Sequence, residues 1–176
     1  MRYSANEIAI GLLKTLLLLV FAEMFTSAVL PAMGIDDFKP AFNVLIVLYI
    51  AFKLETPFLP FLILIIQYIH SAFSIEGWGA GTFTGVLVSI SVRYVRDMLN
   101  FTSAASTIIV VQVFQIIWFV FISLMLSMKQ GDFSGFFSYI GSNLPESIFL
   151  SIISHHFFKL LDNFWMVDKR STGMVL

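Results

Sequence analysis

The chain has 176 residues, 59% of them hydrophobic and only 12% charged, against roughly 25% charged in an ordinary soluble domain. One soluble core of this length cannot hide so much apolar surface, because small domains leave a large share of their surface wet, whereas a bilayer can. A net charge of −1 argues against a basic field for nucleic acid, and the lack of cysteine excludes disulfides, thiolate zinc sites and a cysteine nucleophile.

These bounds predict an all-α integral membrane protein in which residues 1–176 form a single transmembrane domain. A helix needs about 20 mostly apolar residues to cross the hydrocarbon core, and six candidate spans follow in order: 8–30, 40–53, 57–74, 80–99, 103–128 and 145–166. In the first, Arg2 before an apolar run resembles a signal peptide. At about 23 residues the run is longer than the roughly 7–15 of a signal's apolar region, and no cleavage pattern follows, so a retained span is expected. Lys14 and Glu23 lie on opposite faces of it, about 13.5 Å apart along the axis. Lys14 is expected to snorkel to the surface, and Glu23 to need a partner on another helix.

Pro40 suits the first turn of the second span, as Pro57 and Pro60 suit that of the third, since a missing N–H costs nothing there. "KLETP" (53–57) makes a tight hairpin between them. Gln67 and His70, at i,i+3, mark one polar face of the third span, and Gln112 and Gln115 mark one on the fifth. "GWGAGTFTG" (77–85) has no third glycine and no lysine where a nucleotide loop needs them, while Gly81-x-x-x-Gly85 fits close helix packing in a membrane. "GDFSGFFSYIG" (131–141) reads as a short aromatic loop in the outer interface, before a sixth span begun by "NLPES", with Asn143 as cap and Pro145 in the first turn. Trp78 and Trp165 fall near span ends, as an aromatic belt requires.

Orientation follows from Lys and Arg. With the N-terminus inside, cytoplasmic segments hold Arg2, Lys53, Arg93, Arg96, Lys159, Lys169 and Arg170, and outside loops hold only Lys39 and Lys129. Asp36, Asp37, Glu76 and Asp132 fall outside. Both termini are therefore expected in the cytoplasm.

The densest polar cluster is "SIISHHFFKLLDNFW" (151–165). On a helix Ser151, His155, Lys159 and Asp162 share a sector of about 140° with Ser147 and Ser154. Lys159 and Asp162, at i,i+3, can pair. Ionisable groups within spans usually face the bundle interior or a cavity, so the cluster is a buried or partner-binding seam, with a proton relay or ligand site as rivals. Adjacent His155 and His156 point about 100° apart, whereas a zinc-binding helix pair uses i,i+4, so no metal site or cofactor is expected. No serine–base pair and no carboxylate pair at catalytic spacing stands out, which predicts a protein that is not an enzyme.

"FKPAFNVLIVLYIAF" (38–52) resembles the start of the second helix of the MreD family of bacterial rod-shape-determining membrane proteins, where a basic residue and proline lead into a Leu-rich helix, as Lys39-Pro40 do here. "LILIIQYIHSAFSIEGWGAGTFTGVLVSISVRYV" (62–95) is similar to that family's third helix, glycine turn and fourth helix. The family often carries an Asp near the end of the third helix; this sequence has Gln67 and His70. Extending over roughly 38–165, the resemblance implies a six-helix transmembrane bundle in the bacterial cytoplasmic membrane. It also implies a non-enzymatic scaffold of the cell-elongation machinery beside a single-span MreC-like partner, the membrane glycosyltransferase and transpeptidase of peptidoglycan synthesis and, indirectly, MreB filaments. The implied fold is similar to the substrate-binding subunits of energy-coupling-factor transporters, which makes a small-molecule (vitamin) binding subunit the alternative.

Overall fold

The computed structural model describes residues 5–35, 38–54, 56–74, 77–96 and 103–165. Arg2, Asp36, Asp37, Glu76, Lys169 and Arg170, which enter the charge argument, lie outside them. Among the described residues there are six helices and no strand. Helix α1 spans Ala5–Met24 and continues through a π-helical turn, Phe25–Val29, into Leu30–Ala32. Then come α2 (Phe42–Lys53), α3 (Leu59–His70), α4 (Trp78–Val95), α5 (Ala104–Gln130) and α6 (Phe136–Trp165). Two helical stretches, Asn6–Ala32 and Ala104–Gln130, are long and apolar enough to cross a membrane. The apolar α2 and α3 have 12 residues each, about 18 Å of helix against a hydrocarbon core of about 30 Å.

The short α2 is the centre. Every residue from Asn43 to Phe52 is buried, and the helix touches all five others. A helix apolar on every side has no solvated face and belongs in the interior; "VLIVLYIAF" has that character. Pro40 is not in its first turn, as the sequence suggested. The Phe42 N–H donates to the Pro40 carbonyl at 2.9 Å, a tight turn that holds Ala41 out of helical geometry, and the helix starts at Phe42.

Gly81 and Gly85 let α4 approach its neighbours. A Cβ on Gly85 would stand 2.7 Å from Ile63 Cγ2 on α3 and 3.1 Å from the Trp118 ring on α5, and one on Gly81 would enter the Gln67 side chain. The absent side chains are therefore what allow close contact, as small residues do between membrane helices.

Helices α5 and α6 form the most extensive helix pair. Ser103 caps α5 by accepting from the Ser106 N–H at 3.1 Å, and Gly131, at φ +70°, ends it in the left-handed conformation that glycine adopts without strain. In the turn, Asp132 accepts from the Ser134 hydroxyl at 2.7 Å and N–H at 2.8 Å. These bonds hold its carboxyl below the usual carboxylate range.

The expected loop 131–141 is only partly a loop. Helix α6 begins at Phe136 and runs through Pro145, so neither Pro145 nor Asn143 begins it. Side chains bond back into the helix around the proline. Ser142 Oγ and Asn143 Nδ2 both donate to the Tyr139 carbonyl, at 2.9 and 2.7 Å, and Ser147 Oγ donates to that of Leu144 at 2.8 Å. The carbonyl that Pro145 leaves without an N–H donor is that of Gly141, four residues earlier, and none of these three bonds goes to it. Trp165 likewise departs from expectation. It is buried against Gly11, with Nε1 donating to Thr15 Oγ1 at 3.1 Å, and so sits in the α1–α6 contact and not in an interfacial belt. Trp78, at the start of α4, is exposed.

The outside of the bundle is apolar. Ile10, Leu13, Leu17, Phe21 and Met24 form an exposed stripe along α1, and Ile109, Val113, Ile116, Val120 and Leu124 another along α5. Glu23, Gln67, Gln115, Ser151 and Asp162 are buried inside.

Candidate functional site: the polar interior

Four polar groupings occupy the described interior. The first joins α1 to α3. Glu23 Oε1 lies 2.7 Å from His70 Nδ1, both side chains largely buried. The π-helical turn opens two residues after Glu23, and Thr26 Oγ1 donates to the Glu23 carbonyl at 3.0 Å. Insertions of this kind are frequent at functional sites. Glu23 is thus met by the third span, at one of the two polar residues expected there.

The other, Gln67, faces α2. Its Oε1 accepts from Asn43 Nδ2 at 3.2 Å. Gln67 Nε2, Asn43 Oδ1 and Thr84 Oγ1 are buried with no hydrogen-bond partner among the described residues. A buried polar group left unpaired costs about 1–3 kcal/mol, so this spot is one where a bound molecule or water would stabilise the protein.

A third grouping ties α5 to α6. Gln112 Nε2 donates to Ser147 Oγ at 3.0 Å, and its Oε1 accepts from Ser151 Oγ at 2.8 Å. Gln115 Nε2 donates to the same Ser151 oxygen at 3.3 Å. One glutamine therefore bridges two serines a turn apart. The two faces read separately in the sequence, Gln112/Gln115 and Ser151, are one interface.

The fourth corrects the expected Lys159–Asp162 pair. Asp162 is buried, its Oδ1 accepting from the Tyr49 hydroxyl at 3.0 Å and its Oδ2 lying 3.5 Å from Lys53 Nζ. Tyr49 and Lys53 are one turn apart on α2, and that packed face presents both groups to α6. Lys159 is exposed and makes no ion pair with a described residue. It lines a cleft of about 320 Å³ with His155, Lys53 and Asp162. Ser151 and Asp162 therefore belong to the buried seam, His155 stands half-buried at its edge, and His156 is exposed, its ring edge-to-face with that of His155.

At the opposite end of α2, a cavity of about 380 Å³ opens between the end of α1, the start of α2, the end of α3 and the α5–α6 pair. Glu23, His70, Asn43, Glu146 and Lys39 are among its polar lining residues, and Trp118 and Tyr139 are among its aromatic ones. Glu146 is buried and accepts from the Lys39 N–H at 2.7 Å. Sequence reading did not single out Glu146, although an acid inside an apolar span is itself a signal. Asn43, Tyr49 and Lys53 as a partner of Asp162 were also missed; nothing in local spacing marks them. Among the described residues no three His, Asp or Glu side chains are grouped to hold a metal ion.

No protein-family model matches the chain, and neither a curated protein nor a solved structure matches it.

Proposed function

We propose that the chain is a six-span bundle of the bacterial cytoplasmic membrane, both termini cytoplasmic, that serves as a non-enzymatic scaffold of the cell-elongation machinery and docks an MreC-like single-span protein. The family resemblance suggests this reading, and one observation carries it. The Leu-rich run that follows the basic-Pro lead is the buried helix α2, which touches all five other helices. The residues that carry the resemblance are thus the ones around which the bundle is organised. The exposed apolar stripes of α1 and α5, with polar side chains inside, suit lipid contact, because contiguous exposed apolar surface marks a membrane or partner interface. Lys53 and Lys159 line one cleft at the end away from Lys39, which agrees with the positive-inside orientation.

Reporter fusions after residues 35, 77 and 132 and at the C-terminus test the topology. The first three are expected to read outside and the last inside; a cytoplasmic signal at 77 ends the six-span reading. Co-purification in mild detergent tests the partner. Capture of a single-span protein with an external domain is expected, and capture of a transport ATPase instead would overturn the scaffold reading.

A second reading, as a small-molecule binding subunit, is favoured by the 380 Å³ cavity. That volume falls within the roughly 300–1,000 Å³ of ligand pockets. Mass spectrometry of molecules released on denaturing the purified protein tests it; a stoichiometric metabolite is expected.

A further inference from the structure

We infer that the cleft between Lys53 and Lys159 binds the phosphate of an anionic phospholipid. Lys53 comes from α2, Ala104 and Thr107 from α5, and His155, Lys159 and Asp162 from α6, around a space of about 320 Å³. Asp162 is the one acid among the described residues of the lining, and both its oxygens are engaged. Oδ1 accepts from the Tyr49 hydroxyl at 3.0 Å, and Oδ2 lies 3.5 Å from Lys53 Nζ. Asp162 therefore balances Lys53. Lys159 is left as surplus positive charge, exposed and without an ion pair to a described residue. Helical spacing keeps these groups together. Lys159 stands at i,i+4 from His155 and at i,i+3 from Asp162, positions whose Cβ atoms are about 5–6 Å apart. An anion held by Lys159 thus has the His155 ring one turn to one side and the Lys53–Asp162 pair one turn to the other. The first turn of α5 completes the lining with no acid of its own, and adds the positive end of that helix's dipole.

The flanks of the cleft favour a lipid over a dissolved anion. Ile152 and Leu160 lie beside the His155–Lys159 pair on α6, and Ile109 lies two residues past Thr107 on α5, all three exposed. A phospholipid sets its phosphate against Lys159 and its acyl chains along these side chains, whereas a free anion gains only the first contact. Basic pockets between membrane helices on the cytoplasmic side take acidic lipid head groups for this reason. The inference rests on the six-span reading only for the leaflet, the cytoplasmic one.

The test uses the full chain purified in mild detergent and three probes: phosphatidylglycerol, phosphatidylcholine and inorganic phosphate. Phosphatidylglycerol is expected to raise the unfolding midpoint and to stay bound in native mass spectrometry, while the other two do neither. Lys159→Met is expected to weaken phosphatidylglycerol about fivefold, the factor for one basic side chain near an anionic surface. Lys159→Arg should keep the binding. Lys129→Met, at an exposed position at the other end of α5, should leave it unchanged. The midpoint of Lys159→Met in phosphatidylcholine should match that of the unaltered chain, so that its loss is one of binding and not of folding. Equal retention of the two lipids, an equal effect of phosphate alone, undiminished binding in Lys159→Met, or equal weakening by Lys129→Met would each overturn the inference. Detergent has no sidedness, so failure here leaves the orientation to the reporter fusions. An inverted fusion pattern would end the six-span orientation and leave the site standing, in the other leaflet.

Discussion

The Tyr49 hydroxyl donates to Asp162 Oδ1 across 3.0 Å, tying the central helix to the last. The two residues are 113 positions apart, and the bond lies at the end of α2 where Lys53 Nζ approaches the second carboxylate oxygen at 3.5 Å.

Asp162→Ala should therefore destabilise the protein by about 1–3 kcal/mol, because the buried Tyr49 hydroxyl loses its acceptor. Lys53 is partly exposed and can turn its ammonium to water, so its share is small. Adding Tyr49→Phe to Asp162→Ala should recover part of the loss, since it removes the stranded donor. Lys159→Met should change stability by less than about 0.5 kcal/mol. Detergent unfolding midpoints for the three variants decide the matter; a Lys159→Met loss as large as that of Asp162→Ala would restore the i,i+3 pair.

Gly85→Ala is expected to cost about 1–3 kcal/mol by overpacking, because its Cβ meets Ile63 at 2.7 Å and the Trp118 ring at 3.1 Å. Gly79→Ala, six residues earlier in the same helix, meets nothing within 4 Å and should be neutral or slightly stabilising through helix propensity. Unfolding of the two variants side by side is an internal control, and equal effects would remove the close-packing role from Gly85.

Gln112→Leu breaks both serine bonds at once and should cost about 0.6–2 kcal/mol, the range for interhelical hydrogen bonds in membranes. Ser147→Ala should cost less than Gln112→Leu, because Gln112 keeps its bond from Ser151. Double-mutant cycles between Gln112 and Ser151 should show coupling of the same sign; additive losses would mean that the seam is packing alone.

Trp165→Phe removes the indole N–H that Thr15 Oγ1 accepts and should cost about 0.5–1.5 kcal/mol. Trp165→Ala also empties the contact with Gly11 and should cost about 3–5 kcal/mol. Intrinsic fluorescence gives a second readout. A buried indole should resist aqueous quenchers, whereas easy quenching of Trp165 in a variant lacking Trp78 and Trp118 would return it to the interface.

Composition and periodicity by themselves determined that the chain is helical and where the apolar segments lie, because burial of apolar surface and helical spacing are local properties of the sequence. They also marked Glu23, Gln67, His70, Gln112, Gln115, Ser151 and Asp162 as polar side chains that an apolar helix would not leave facing outward. Gly81 and Gly85 were legible for the same reason, since a small residue every fourth position has a direct steric meaning. Which groups meet was decided only by tertiary packing. Asp162 turns to Tyr49 and Lys53 because α2 lies at the centre and presents one face to α6, and no i,i+3 or i,i+4 rule contains that geometry. Glu146 and Asn43 come to share a cavity with Glu23 because α1, α2, α3 and α6 converge at one end of the bundle. Helix α6 runs through Pro145 against the local propensity of proline, along the most extensive helix contact of the bundle, with α5, and that contact is not legible in the local sequence.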